Sequence, residues 1–190
     1  MSLVTLSPTF LQSTNPGYIL LAGERAAAET ILRLIAEIAP HEPIGVIDAG
    51  AYFNPHYIAR RVRMQSTLVR QALDNIHIVR IFHAHQLPEA LQGFQHRHDT
   101  LVIMGGMVLF EDETMAMHHK RYVLNLYFNM LEQLSTSRHV VVGIKPKEHL
   151  LQFPFRLIYE RAAQLFEIDP IEEEPNLQPG LFDFQETTHG

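Results

Sequence analysis

The chain has no cysteine and no tryptophan, and no long apolar run. Without cysteine there is no disulfide, no zinc–thiolate site and no thiol catalysis. No apolar run approaches the roughly 18 residues a membrane-spanning helix needs. Met1-Ser2-Leu3-Val4-Thr5-Leu6 lacks the basic start and apolar core of a secretory signal. A cytoplasmic protein without a membrane partner is therefore expected. Positive charge is in deficit: Lys plus Arg is 15 against 21 Asp plus Glu, a formal charge of −6. That balance excludes a generally basic surface for nucleic acid or anionic lipid and leaves room only for local stripes. No serine stands in a nucleophile elbow, and no His-x-x-x-His spacing offers a zinc pair on a helix.

What is present is an ordinary globular composition, 46% hydrophobic and 19% charged over 190 residues, suited to one domain with a sizeable core. Apolar runs of strand length alternate with longer amphipathic stretches, the pattern of βα units on a parallel sheet. Strands are expected at Tyr18–Ala22, Ile44–Asp48, Ile76–Phe82, Thr100–Met104 and His139–Ile144, with helices at 25–39, 55–73, 86–97 and 115–136. The second helix has Asn54 as cap and Pro55 in its first turn, with Ile58, Val62, Val69 and Leu73 on one face. Val123, Leu126, Tyr127, Met130, Leu131 and Leu134 form a stripe on the fourth. For 147–169 two readings stand: a helix opened by Pro154, or a hairpin pairing Phe155–Glu160 with Leu165–Asp169. A single domain over 1–169 is expected, with 170–190 an acidic, flexible tail.

The first strand runs into Gly23, four residues, then Ala28-Glu29-Thr30, which overlays on G-x-x-x-x-G-K-[ST]. Ala28 replaces the second glycine and Glu29 the lysine. A phosphate cradle needs inward N–H groups and a cation, and here an acid takes the cation's place.

Further strings carry a resemblance to a family. Ile47-Asp48-Ala49-Gly50-Ala51-Tyr52-Phe53-Asn54-Pro55, Asn75-Ile76 followed by His85-Gln86, and Leu101-Val102-Ile103-Met104-Gly105-Gly106 follow in the order found in RecA-like recombinase ATPases. The likeness is to their archaeal and eukaryotic branch and KaiC-like relatives, over roughly 17–146. The resemblance implies a three-layer, doubly wound, mainly parallel sheet of P-loop NTPase architecture. It also implies that the nucleotide site is degenerate. Gly50 stands where the family activates water with a glutamate, Gly105 where an aspartate serves magnesium, and Ile144-Lys145 where an Asn-Gln pair senses nucleotide. Thr30 alone cannot hold magnesium. The expectation is a catalytically inactive partner or regulatory subunit in DNA recombination or repair, self-associating or joining a protein partner, with no ATPase activity and no cofactor.

Other constellations support alternatives. His83-x-His85, at a strand's carboxyl end, could serve a metal, although scattered surface or core histidines explain the 12 in the chain as well. Asp48, His83, His85 and Lys145 could instead line a cleft for a small ligand, in an enzyme or binding protein. Arg60, Arg63 and Arg70 share a helix side, and Lys120 and Arg121 lie in the basic His118–Arg121 cluster. Either set could track the phosphates of single-stranded DNA, or be a solvated helix face. In the tail, Gln178, Leu181 and Phe182 form a Q-x-x-L-F string that resembles the peptide by which bacterial proteins dock on the sliding clamp.

Overall fold

The computed structural model describes residues 17–23, 25–94, 98–145 and 156–168, apart from the side chains of Arg25 and Ala26. The elements in chain order are β1 (Ile19–Ala22), α1 (Arg25–Ile38), β2 (Ile44–Asp48), α2 (Pro55–Gln65), α3 (Val69–Asp74) and β3 (Ile76–Arg80). There follow α4 (Gln86–Gly93), β4 (Thr100–Met104), a 3-10 turn (Gly106–Glu111), α5 (Met117–Ser135), β5 (His139–Ile144), α6 (Leu157–Arg161) and β6 (Gln164–Glu167).

The six strands form one sheet in the order β3-β2-β4-β5-β1-β6, with every adjacent pair parallel. Strands β1, β2 and β4 are buried along their whole length, which explains why they read as unbroken apolar runs. Successive side chains point to opposite faces. Ile19, Leu21, Val102 and Val141 therefore pack on one side against Ile31, Leu34 and Ile35 of α1 and Ile58 and Val62 of α2. Leu20, Ile103, Val140 and Val142 pack on the other against Leu87 and Leu91 of α4 and Tyr127, Phe128 and Leu131 of α5. Helices thus cover both faces of an open α/β sheet. Each fully buried aliphatic side chain contributes on the order of 1.5–3 kcal/mol.

Several expectations need correction. The helix over 55–73 is two helices, α2 and α3. Ser66 leaves the helix at φ −156°, ψ 158°, and its hydroxyl accepts the Leu68 N–H at 3.1 Å. A short polar side chain bonded to nearby backbone competes with the helical ladder. Val69 is half-buried and Leu73 exposed, and on α3 the buried face is carried by Ala72. The third strand stops at Arg80 and Phe82 is exposed. On α5, Leu126 falls outside the buried stripe.

Residues 156–168 form neither one helix nor a hairpin. Arg156 pairs with Glu160 at 2.7 Å across the turn of α6, and the chain then enters β6, parallel to β1. The Ala163 N–H donates to the Tyr18 carbonyl at 3.0 Å, and the Tyr18 hydroxyl donates to the Ile158 carbonyl at 2.8 Å.

Burial pushes the Tyr18 phenol well above its usual range, with Glu132 adding to the effect and Arg161 opposing it. Tyr127 is pushed up likewise by burial, with Tyr18 adding to it. Both rings must stay neutral in the fold, whereas in the unfolded chain they ionise near pH 10. The unfolded state then binds fewer protons, so stability is fully present below about pH 10 and falls as pH rises beyond it. Denaturant titrations at pH 8 and 11 check this. The Tyr127→Phe variant loses less stability between the two values, by up to about 1.4 kcal/mol for one pH unit above pH 10.

Candidate functional site

The loop after β2 leads toward α2 on one face of the sheet, while the chain after the adjacent β4 leads toward α5 on the other. Such a divergence opens a crevice at the carboxyl edge, where open α/β sheets hold ligands. The ends of β1, β2, β4 and β5 meet around it.

The crevice is built from Asp48, fully buried at the last position of β2. Its carboxylate accepts the Tyr52 N–H at 2.9 Å and the Phe53 N–H at 3.3 Å. Arg80, its register partner on β3, donates from Nε at 3.0 Å and lies at 2.9 Å through Nη2. A buried carboxylate is tolerated only when so paired. These bonds hold a tight loop in which Ala51 takes φ 56°, a left-handed conformation that costs a non-glycine residue roughly 1–2 kcal/mol. Asn54 then caps α2, accepting the Tyr57 N–H at 3.1 Å.

The loop turns the Tyr52 ring onto two glycines. A Cβ added at Gly50 would collide with Cε2 of that ring, and one at Gly105 would stand 2.6 Å from the same atom. Gly105 has φ 74°, again the left-handed region, and its N–H donates to the Gly143 carbonyl at 3.1 Å. With Tyr52 in place, the cavity left among Ala28, Ile31, Met104, Gly105 and Lys145 is about 10 Å³. That is scarcely room for one water.

The frame over Gly23–Thr30 is not a phosphate loop. Helix α1 begins at Arg25, where a phosphate-binding frame would still be loop, so Ala28, Glu29 and Thr30 lie inside the helix. The Gly23 N–H is taken by the Ile144 carbonyl at 3.1 Å. A Cβ at Gly23 would stand 2.6 Å from the Ile168 carbonyl, so this glycine serves the approach of the chain leaving β6.

No protein-family model matches the chain, nor does any curated protein sequence.

The remaining candidates do not converge on this crevice. Of Asp48, His83, His85 and Lys145, only Lys145 lines its cavity. His83 and His85 sit past the end of β3, exposed, with rings stacked at 5.4 Å and 7°. Among the described residues no cluster of three metal-ligating side chains forms. Near His83, hydrogen bonds from the Thr114 hydroxyl and N–H hold the Asp112 carboxyl below its usual range, with Lys120 and His83 lowering it further. His98 is buried against His77, ring centroids 4.7 Å apart.

The arginine stripe is also corrected. The break at Ser66 puts Arg70 on α3, beside Asp74 at 3.9 Å, away from Arg60 and Arg63, which stay exposed on α2. Lys120 is buried, leaving Arg121 of its pair exposed. A buried amine cannot track phosphates. Gln178, Leu181 and Phe182 lie outside the described residues.

Sequence reasoning missed Tyr52 and Arg80. The signal for the first was the spacing itself: an aromatic residue two positions after Gly50, in a chain that also has glycine at 105. A double-mutant cycle tests their coupling. Gly105→Ala should destabilise by about 1–2 kcal/mol from backbone strain alone, and by more because the Tyr52 ring must move. In the Tyr52→Ala background only the backbone part should remain, so the two losses measured by denaturation should not add.

Proposed function

We propose that this chain is a RecA-like domain that no longer turns over nucleotide and works by binding, as a partner or regulatory subunit in DNA recombination or repair. It would act through association with copies of itself or with a related subunit. The observation that carries this reading is the Tyr52 ring, packed over Gly50 and Gly105 where a RecA-like ATPase would need two acids. Magnesium phosphate chemistry requires carboxylates for the metal's shell and a cation against the phosphates. The residues lining the crevice include one cation, Lys145, but no carboxylate, beside the Tyr52 ring, Ala28, Ile31 and Met104. The RecA-like part of the reading rests on the order of the strings on β1, β2 and β4, whose ends border one crevice.

Association with the chain's own kind follows from what is kept: the strand-turn-helix frame, both helical layers and an open sheet. A domain of this shape retains surfaces for assembly after the site between subunits has lost its chemistry.

Millimolar Mg-ATP should leave the melting temperature within about 1 °C and give no phosphate release. A ligand at 100 times its Kd would add about 2.7 kcal/mol, which raises the midpoint of a domain this size by several degrees. A shift of that size, or measurable hydrolysis abolished by Tyr52→Ala plus Lys145→Ala, overturns the reading.

A further inference from the structure

Among the described residues, strand β3 is one end of the sheet, and unlike β1, β2 and β4 it is open on both faces as well as along its edge. Ile78 points to the α2–α3 side and Val79 to the α4 side, and they are 41% and 39% exposed. A groove of about 780 Å³ runs between the strand and α4. Leu73 and Phe82 extend the exposed apolar surface at either end.

The backbone of this edge is also unspent. The Asn75 carbonyl accepts the Ile44 N–H at 3.0 Å, and the Ile81 N–H donates to the Asp48 carbonyl at 3.1 Å. Residues 75 and 81 therefore turn inward to β2. Backbone groups alternate along a strand, so the N–H and C=O of Ile76, Ile78 and Arg80 all face outward. Open edges are ordinarily blunted by lysine, proline or a bulge. Ile76-His77-Ile78-Val79-Arg80 has no lysine and no proline, and its register against β2 is unbroken.

We propose that β3 is a dimer interface, pairing antiparallel with β3 of a second copy about a two-fold axis through Ile78. In that register Ile78 of one copy exchanges both backbone hydrogen bonds with Ile78 of the other, and Ile76 does the same with Arg80. Every outward group of the strand is then used. Val79 lies across from His77. No like charges face each other, because Arg80 falls opposite Ile76 and its charge is already met by Asp48. The sequence is thus complementary to itself in the one register that uses all three outward residues. A two-fold pairing also closes the assembly, whereas a second copy adding its β6 to β3 would repeat without end. The inference rests on the reading above only for the expectation that copies associate; nucleotide assays and mass measurements report on the two separately.

The intact chain is tested by light scattering and sedimentation at about 50 μM, a concentration at which a micromolar dimer is mostly assembled. A mass of twice 21.8 kDa is expected. Ile78→Lys sets two ammonium groups face to face and should raise the dissociation constant by about a hundredfold or more. Its circular dichroism and melting of the monomer should stay unchanged, because the side chain is surface-exposed. The chain's lack of cysteine permits a second test. Opposed residues in a hydrogen-bonded antiparallel pair have Cα atoms about 5.5 Å apart, within disulfide reach. Ile78→Cys should therefore oxidise to a covalent dimer, and Tyr122→Cys, exposed on α5, should not. A monomeric wild type, a dimer that survives Ile78→Lys, or a ladder of species that lengthens with concentration would each overturn the proposal.

Discussion

The candidate site depends on one buried carboxylate. Asp48 is fully buried at the last position of β2, and its charge is tolerable there only because two backbone N–H groups and a guanidinium converge on it. Those bonds set the course of residues 50–53 and absorb the left-handed turn at Ala51. They decide that Tyr52 points back over the sheet and not out to water. From there the ring determines what can stand beside it.

Gly50 and Gly105 both lie under that ring. They are the two places from which any side chain would have to push the ring aside. On the opposite wall, α1 starts at Arg25 and the Gly23 N–H is committed to the Ile144 carbonyl.

Much of the fold was legible because it follows from local rules. Fully buried parallel strands read as apolar runs, and β1, β2, β4 and β5 emerged within a residue of their bounds. Asn54 and Pro55 marked the start of α2 for a capping reason that the structure repeats. The misses involve competition between local and tertiary terms. Ser66 broke a helix whose apolar periodicity continued through it, because a hydroxyl close to the backbone outcompeted the ladder. A strand over Leu165–Asp169 was one of two readings, but its partner was not legible, since Gln164–Glu167 is half exposed and pairs in parallel with β1. At the site, the emptied positions could be read, but not what fills them. Whether a tyrosine turns inward depends on Asp48 and Arg80, 32 residues apart in sequence and paired only through the β2–β3 register.

The strand order has a consequence for the way this chain is made. Ile19 of β1 pairs with Val141 on one side and Gln164 on the other, so β1 waits for about 120 residues before either strand neighbour exists. At synthesis rates of about 5–20 residues per second that delay is roughly 6–24 seconds. During it an apolar tetrapeptide, Ile-Leu-Leu-Ala, has no sheet to join. Strands β2, β3 and β4 can assemble in the meantime as a half-sheet with α2, α3 and α4. The sheet therefore grows from its middle, and β1 joins it only after β5, with β6 added last.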